Sequence, residues 1–451
     1  MKKKLLKTIG LFTAIMMLSG CTNLTSDTGT VPTGSSEVQP DIEITREAAE
    51  AGSVNLTEGR NEGTVEDTEV PAEKFDNLTN ASVSLLYQTM LYETDKNRNI
   101  LISPMSIQTA LGMAELGAEG KTLEQMEKTV NGGISNEDLN LAMRKLAYDS
   151  QNSPDVDWNV ANSLWFRNDG LAKVKENYLD DVVKNYNADV FYAPFDEQTV
   201  NDINSWVDNE THHMIPEIIG EIPDEAYMYL INAIAFEAEW QEQYEEDQVR
   251  EDCIFENIDG SESKVNMLSS TEYGYFTLAD GQGFIKPYKG GEYSFVGILP
   301  KEGQTPEEYL KKLSSSKEDL SKVVREAGHE EVNVLLPEFT MDYDIEFSDV
   351  YKEMGMDIPF DQDEAEFHKM MEVTTGDPYQ VWIGKILHKT HIEVDRKGTK
   401  AAAVTAIEMD LAMSAMPMEE KYIRLDRPFV YAIVDNETGY PVFIGAQNSM
   451  Q

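Results

Sequence analysis

The strongest constraint on the fold is a change in apolar spacing along residues 75–451, a stretch that holds no second linker and no internal repeat. Near its start, apolar residues recur at the three- and four-residue spacing of one helix face, at Val83, Leu86, Tyr87, Met90 and Leu91. Later segments carry short unbroken apolar runs typical of strands, at residues 332–336, 429–434 and 442–444. Helical patterns followed by strand patterns predict an α+β fold.

Two local signals predict where helices begin. Ser103 stands directly before Pro104, which places a capping residue ahead of a proline at the first helical position. That helix is expected to end near Gly117. Residues 122–125, Thr-Leu-Glu-Gln, indicate a capping box at the start of another helix.

Composition excludes several classes of protein. The chain has 82 acidic and 37 basic side chains, a formal charge of −45, and no Lys/Arg patch, so it is not expected to bind nucleic acid. Two cysteines, Cys21 and Cys253, supply neither a disulfide framework nor a Cys-based metal site. The six histidines form no H-E-x-x-H motif, and there is no P-loop, G-x-G-x-x-G or G-x-S-x-G motif. We expect no metal, no cofactor and no enzymatic activity.

The N-terminus has the pattern of an export signal. Four lysines within residues 2–7 precede an apolar run, residues 9–18, that is too short to span a bilayer as a stable helix. The run ends in Leu-Ser-Gly-Cys21, which resembles the lipobox of bacterial lipoproteins. The resemblance implies that residues 1–20 are a signal peptide and that Cys21 carries lipid on the outer side of a bacterial cell membrane. An ordinary signal peptide is the alternative.

Residues 21–74 are predicted to comprise the lipidated cysteine and a disordered acidic linker. Residues 22–74 contain 12 acidic and 3 basic side chains, are rich in Ser, Thr, Gly and Pro, and show no apolar periodicity. Low hydrophobicity combined with one sign of charge favours a self-repelling, disordered chain. A folded domain is expected to occupy residues 75–451.

Segments throughout that domain resemble the serpin family. They are residues 99–107 (NILISPMSI), 116–122 (LGAEGKT), 161–165 (ANSLW), 203–207 (INSWV), 232–236 (NAIAF) with Trp240, 335–339 (LLPEF), 388–394 (HKTHIEV), 427–429 (RPF) and Gly445. They follow the family order over about residues 75–450. The resemblance implies a serpin-like α+β fold, with several helices around three β-sheets and an exposed reactive loop, and we expect a monomer.

An alternating pattern occupies the position of that loop. From Thr399, every second residue is uncharged: Thr399, Ala401, Ala403, Thr405, Ile407, Met409 and Leu411. The three charges, Lys400, Glu408 and Asp410, all fall on the other face. Because successive strand residues face opposite ways, the segment could enter a sheet with its uncharged face buried, and a one-residue slip would bury all three charges. An ordinary half-buried strand would alternate in the same way.

The resemblance assigns a hinge at the start of this loop, which must move when the loop inserts. The hinge comprises Gly398, Thr399, Lys400, Ala401, Ala402, Ala403, Val404 and Thr405. A flexible glycine followed by small residues offers little steric resistance to insertion. Non-inhibitory serpins tend to carry charges, bulky residues or proline at the inward hinge positions, and this hinge carries none, so we expect an inhibitor.

The reactive bond follows from the same resemblance. In inhibitory serpins the scissile residue usually lies fourteen residues after the hinge glycine, which here gives Ala412 and the bond Ala412–Met413. Leu411 and Met413 are the alternatives for the scissile residue. No Lys or Arg lies between Lys400 and Lys421, so a trypsin-like protease finds no suitable side chain. Serine proteases that accept small or apolar residues, of the elastase or subtilisin type, are the expected partners.

Two groups of polar and aromatic residues are expected to control the opening of the sheet. By resemblance, Ser103, Ser106, Asn204 and His388 form the family's shutter, a buried hydrogen-bond network. Trp240 marks the breach, where insertion begins. All five residues could equally be ordinary core side chains, and the two interpretations are compatible.

The sequence therefore predicts a suicide-type protease inhibitor. The target's nucleophile would attack the loop, and the acyl-enzyme would be trapped as the loop inserts into the main sheet. A non-inhibitory, surface-bound carrier with the same fold is the alternative.

Overall fold

Helices concentrate early in the chain and strands late, which confirms the α+β order that the apolar spacing predicts. The structure is a computed structural model that describes residues 52–60, 68–223, 226–373, 381–399 and 420–450. Within these ranges, six of the nine α-helices end before residue 211, and fourteen of the nineteen strands begin after residue 227. These described residues form one compact unit.

One of the two predicted helix starts is confirmed and the other is wrong. The helices are α1 Ala72–Tyr92, α2 Pro104–Gly117, α3 Gly120–Thr129, α4 Asn136–Gln151, α5 Glu176–Tyr186, α6 Glu197–Glu210, α7 Pro306–Ser315, α8 Leu320–Arg325 and α9 Ser348–Glu353. Ser103 caps α2, because its side chain accepts a hydrogen bond from the backbone N–H of Ser106. The predicted capping box at residues 122–125 is wrong: α3 begins at Gly120, and the Thr122 hydroxyl instead accepts a hydrogen bond from the backbone N–H of Glu366.

In the part of the chain that the structure describes, the strands form three sheets and one two-stranded ribbon. In chain order they are β1 Val54–Asn55, β2 Ile100–Ile102, β3 Val156–Arg167, β4 Ala172–Val174, β5 Asp189–Ala193, β6 Met228–Glu239, β7 Val249–Glu256, β8 Glu262–Tyr273, β9 Phe276–Leu278, β10 Gly281–Pro287, β11 Tyr293–Leu299, β12 Glu331–Pro337, β13 Phe339–Glu346, β14 Met371–Val373, β15 Lys385–Val394, β16 Gly398–Thr399, β17 Tyr422–Arg424, β18 Phe429–Asp435 and β19 Pro441–Gln447.

Strand order separates a large central sheet from two smaller ones. The seven-stranded sheet has the order β1-β5-β3-β6-β16-β15-β13, the six-stranded sheet β2-β19-β18-β11-β10-β9 and the four-stranded sheet β17-β12-β8-β7. The ribbon pairs β14 with β4 and adds to the three predicted sheets. Among the described residues, no helix is long and apolar enough to cross a membrane.

The seven-stranded sheet is covered on both faces. Along β3, Leu164 belongs to the main core, whereas its neighbour Trp165 packs in a second cluster with Ile203 and Val207 of α6. This division follows from the two-residue period of a strand, which sends adjacent side chains to opposite faces. A strand added to the middle of this sheet must therefore carry buriable side chains on the face that meets the main core.

Residues 54–60 fold onto one edge of this sheet, although the sequence places them in the disordered linker 21–74. β1 pairs with β5, Leu56 is 7% exposed, and Arg60 forms ion pairs with two acids of α5. The polar composition does not predict this strand. Its order comes from hydrogen bonds to the backbone of β5 and from one buried apolar side chain, Leu56. Since α1 also begins at Ala72, the folded region starts before the predicted boundary at residue 75.

Replacing Leu56 with aspartate is expected to lower the free energy of unfolding by about 2–3 kcal/mol, because a buried leucine is lost and a charge replaces it. Denaturant unfolding measures the change. The control is Glu58→Ala, since Glu58 is exposed on the same segment. Equal unfolding midpoints for the two variants would contradict a structural role for this strand.

Candidate functional site

The large sheet is parted at one end. β6 and β15 pair in parallel over seven residue pairs, the last of which joins Ala235 and His391. Beyond that pair, β16 lies between them, with Thr399 opposite Ala238 of β6 and Val394 of β15. β16 is antiparallel to both neighbours. The start of the predicted hinge is thus already a short strand in the gap between two parallel strands.

Gly398 is required here by close packing as well as by flexibility. A Cβ atom on Gly398 would lie 2.1 Å from the carbonyl oxygen of Ala238, so a side chain would displace β6. The preceding turn is held by the carboxylate of Asp395, which accepts hydrogen bonds from the backbone N–H groups of Lys397 at 2.7 Å and Gly398 at 3.1 Å. The turn and the glycine together direct the chain into the gap.

Thr399 and Trp240 meet at the point where the sheet parts. Thr399 is fully buried, and its hydroxyl lies 2.7 Å from the hydroxyl of Tyr288. The Tyr288 ring stacks on Trp240, with centroids 4.6 Å apart and planes at 8°. Trp240 Nε1 also donates a hydrogen bond to the carbonyl of Asp395 at 2.8 Å. The structure therefore brings the predicted breach residue and the start of the hinge together.

A buried ion pair supports this region, and the sequence analysis missed it. Lys286 of β10 lies 2.9 Å from Glu272 of β8, and their side chains are 3% and 9% exposed. The Lys286 ammonium also lies 4.4 Å from the ring centroid of Tyr244. Removing either charge would leave the other buried and unpaired, which is strongly destabilising. Nothing in the flanking residues distinguishes this lysine and glutamate from surface charges.

A buried hydrogen-bond network joins β3, β6 and β15 to the start of α2 beneath the closed part of the sheet. The backbone N–H of Ser103 donates to Nε2 of His388 at 3.1 Å, and Nδ1 of His388 lies 2.5 Å from Oδ1 of Asn232. The Asn232 amide donates to Oδ1 of Asn162 at 2.7 Å and to the hydroxyl of Ser106. Three of the four residues assigned to the shutter by resemblance are thus connected.

The donors in this network determine the tautomer of His388. A backbone N–H donates to Nε2, so Nε2 accepts, and Nδ1 carries the proton that is donated to Asn232. His388 is 1% exposed, and burial lowers its pKa to about 3. The ring is therefore neutral at neutral pH. A second proton, on Nε2, would face the backbone N–H of Ser103 and remove the acceptor of that hydrogen bond.

Asn204 does not belong to this network, and the prediction that it does is wrong. It lies on α6, where its Oδ1 accepts hydrogen bonds from the backbone N–H groups of Ile218 at 2.9 Å and Ile219 at 3.1 Å. It therefore fixes the segment that follows α6. The amides of the network come from Asn162 and Asn232, each in the interior of a long strand. An asparagine in the middle of a buried strand is a signal that the sequence analysis could have used, because its buried amide needs hydrogen-bond partners.

The free energy of unfolding is expected to lose a contribution from His388 as the pH falls from about 6.5 toward 3, because the unfolded chain binds a proton that the folded chain does not. The loss approaches about 1.4 kcal/mol per pH unit within this window. Denaturant unfolding of the wild type and of His388→Gln across this range measures it.

The comparison with His388→Gln is needed because buried acids act in the opposite direction. Burial raises the pKa of Glu115 to about 8 and that of Asp435 to about 6, so both acids favour the folded state increasingly as the pH falls. These contributions are shared by the two proteins and cancel in the difference. Parallel curves for wild type and variant would exclude the proposed proton linkage at His388.

Ten predicted site residues lie outside the described residues and remain predictions. They are Lys400, Ala401, Ala402, Ala403, Val404 and Thr405 of the hinge, Leu411, Ala412 and Met413 around the reactive bond, and Cys21 at the lipidation site. The described part of the hinge consists of Gly398 and Thr399.

The geometry of the site is suited to receiving a strand. β16 occupies the first two positions between β6 and β15, and each further residue would replace part of the parallel pairing with antiparallel hydrogen bonds to both neighbours. Within the described ranges, no group of three or more His, Cys, Asp or Glu side chains could hold a metal ion.

Comparisons with known proteins point to the same family that the motifs resemble. The family model described as Serpin (serine protease inhibitor) matches residues 78–450. An uncharacterized serpin-like protein of Thermococcus kodakarensis is 29% identical over 377 residues, covering 82% of this chain and 84% of that protein. Leukocyte elastase inhibitor A of Mus musculus is 30% identical over 375 residues, covering 80% of this chain and 95% of that protein.

Solved structures show the same fold. The thermophilic serpin tengpin in its native state has a TM-score of 0.78 at 36% identity, covering 88% of this chain and 100% of that chain. Tengpin in its latent state has a TM-score of 0.69 at 34% identity, covering 86% and 100%. Thyroxine-binding globulin complexed with thyroxine shares the fold with a TM-score of 0.70 at 21% identity, covering 84% and 99%. The chain belongs to the serpin family, whose members are generally protease inhibitors rather than enzymes.

Proposed function

We propose that this serpin is a suicide-type inhibitor of serine proteases with an elastase-like or subtilisin-like preference. The observation that carries the proposal is β16, which lies antiparallel between β6 and β15 with Thr399 fully buried. The alternation beyond Thr399 keeps uncharged residues on the same face as far as Leu411. The loop could therefore continue the strand that β16 begins without burying a charge on that face.

The protease supplies the chemistry in this mechanism. Its serine attacks the carbonyl of the scissile residue, the peptide bond to the next residue breaks, and the new amino terminus takes a proton. The serpin remains attached to the serine as an acyl ester. Insertion of the loop between β6 and β15 then moves the bound protease away and distorts its active site before water can hydrolyse the ester.

The scissile residue sets the class of target. Ala412 with the bond to Met413, or Leu411 as the alternative, presents a small or apolar side chain to the specificity pocket. Such side chains suit elastase-like and subtilisin-like proteases and do not suit trypsin-like ones. The lipobox-like sequence at Cys21 supports export and attachment to the outer side of the bacterial membrane, where the inhibitor would meet its target.

Denaturing gel electrophoresis tests the inhibition directly. Residues 22–451, which lack the lipidation site, are mixed with an elastase-like protease, and the mass of the released C-terminal fragment is measured. We expect a covalent, detergent-resistant complex and a fragment that begins at Met413 or one residue to either side. Nicking without a complex by elastase-like, subtilisin-like and trypsin-like enzymes would contradict inhibition.

Thermal unfolding of the nicked chain separates the inhibitor from a carrier of the same fold. An inhibitor inserts its freed loop and gains a strand in the large sheet, so its melting temperature rises after nicking. A carrier that does not insert its loop would melt at nearly the same temperature before and after nicking.

A further inference from the structure

The hinge side of the loop is anchored to the four-stranded sheet. The backbone N–H of Tyr244 donates to the carbonyl of Arg396 at 2.9 Å, just before the hinge. The hydroxyl of the same tyrosine lies 3.2 Å from that of Ser270 on β8. The turn at residues 241–248 thus lies between the start of the loop and β8.

The return side of the loop reaches the same strand. Tyr422, three residues after position 419, pairs with Asn333 of β12, and Asn333 pairs in turn with Thr271 of β8. Ser270 and Thr271 are adjacent, so the two anchor points of the segment 400–419 lie around one short part of β8. The described chain on both sides of that segment therefore contacts the same part of the four-stranded sheet.

Two exposed tyrosines project from this surface. Tyr273 and Tyr422 are 65% and 60% exposed. Paired residues share a face, as do residues two apart on one strand, so the row of Tyr422, Asn333 and Thr271 places Tyr422 on the same face as Tyr273. Tyrosine is enriched in the cores of protein interfaces. Two exposed tyrosines beside the loop are therefore suited to contact its occupant.

The region around the two anchor points is acidic, with the turn 241–248 on the Ser270 side of β8 and the two tyrosines on the Thr271 side. We call it the rim and define it as residues 242–247, 271, 273, 330, 331, 333 and 420–422. It carries seven carboxylates: Glu242, Glu245, Glu246, Asp247, Glu330, Glu331 and Glu420. Its one cationic side chain, Lys421, pairs with Glu330 at 2.6 Å. The neighbouring cations are Arg396 and Lys397 on the hinge side and Arg250 and Arg424 one row along the tyrosine face, so with Lys421 five basic side chains stand against the seven carboxylates.

We propose that the rim is a second docking surface for the target protease and that it selects proteases whose surface around the active site is basic. This inference rests on the proposed inhibitory function. The loop lacks Lys and Arg between positions 400 and 421, so it specifies a pocket for small or apolar residues and does not distinguish basic from acidic proteases of that type. An acidic rim makes this distinction, because complementary charge accelerates association and like charge slows it.

Association rate constants for two proteases of the same pocket preference test the inference. The probes are an elastase-type protease of positive net charge and a subtilisin-type protease of negative net charge, each measured from low to high salt. The rim variant carries Glu245→Gln, Glu246→Gln and Asp247→Asn. The control carries Glu353→Gln, Asp363→Asn and Glu364→Gln. These residues lie near Pro359, whose carbonyl accepts the backbone N–H of Ile383 just before β15. The rim adjoins the other end of β15, so the control removes three charges at a distance from it.

With the cationic protease, the rim variant is expected to associate about tenfold more slowly at low salt, and the difference should shrink as salt is added. With the anionic protease, its rate should be unchanged or higher. Tyr273→Ala should slow association with the cationic protease about fivefold at every salt concentration, because it removes packing rather than charge. The stoichiometry of inhibition should stay the same, since none of these residues lies in the hinge.

Equal rates for the rim variant and the control with the cationic protease would overturn the inference. If covalent complexes form normally while those rates are equal, the rim proposal fails and the inhibitory function stands. If neither protease forms a covalent complex with the wild-type chain, the proposed function fails and the inference fails with it. Melting temperatures of all variants establish that a change in rate does not reflect unfolding.

Discussion

Replacing Thr399 with glutamate is expected to abolish trapping and to turn the inhibitor into a substrate. Thr399 already lies fully buried beside the hydroxyl of Tyr288, between β6 and β15, so a carboxylate at this position would drive the start of the hinge out of the gap, and insertion would have to bury that charge. A penalty of about 3 kcal/mol in the insertion barrier slows insertion about 100-fold. Hydrolysis of the acyl-enzyme is then faster than loop insertion, and the protease is released active.

The measurement is the ratio of covalent complex to nicked serpin on a denaturing gel, together with the number of serpin molecules consumed per protease inactivated. Lys400→Glu is the matched control, because it places the same glutamate one residue later, on the face that already carries every charge of the alternating segment. We expect nearly normal trapping by the control. Efficient trapping by Thr399→Glu would contradict insertion in the register that β16 begins.

Replacing Asn232 with leucine is expected to lower the free energy of unfolding by about 3–5 kcal/mol. Leucine has a similar volume but leaves the Nδ1 proton of His388 without its acceptor, and it removes the amide that donates to Asn162 and Ser106. Each buried polar group left without a partner costs about 1–3 kcal/mol. The loss should appear in denaturant unfolding at neutral pH, where His388 is neutral.

Asn209→Leu is the control for this substitution. Asn209 is exposed on α6, and its amide donates a hydrogen bond to the backbone carbonyl of Ser205 in the same helix. Its replacement should change the free energy of unfolding by no more than about 0.5 kcal/mol. A loss for Asn232→Leu as small as that of the control would mean that the network does not hold the closed sheet together.

The sequence singled out Trp240, Ser103, Ser106 and His388 because those residues lie in segments with a recognisable order, and their breach and shutter roles stay predictions. It placed Ser103, Ser106 and His388 correctly in one network, but it chose Asn204 in place of Asn162 and Asn232. The choice among asparagines depends on which strands lie above the start of α2. That arrangement joins residues 56 to 285 positions apart, as in the contacts Ser106–Asn162 and Ser103–His388, and no local pattern encodes it.

The ion pair of Lys286 and Glu272 illustrates the same limit. A lysine and a glutamate fourteen positions apart look like surface residues in any local window, and the fold alone buries them together at 2.9 Å beneath Tyr244. The strand β1 is a similar case. Its polar sequence predicts disorder, and its order comes from the free edge of β5.

The sequence by itself determined the fold class and the alternation that keeps charge off one face of the loop, because periodicity and capping are local consequences of backbone geometry. The family followed from the resemblance of its motifs and their order. By resemblance the sequence placed the start of the hinge at Gly398, which stays a prediction. Only the tertiary structure decided that Gly398 must be a glycine for lack of space beside Ala238, and that Thr399 is already seated against Tyr288. These features depend on distances between strands far apart in the chain, which are set when the sheets pack together.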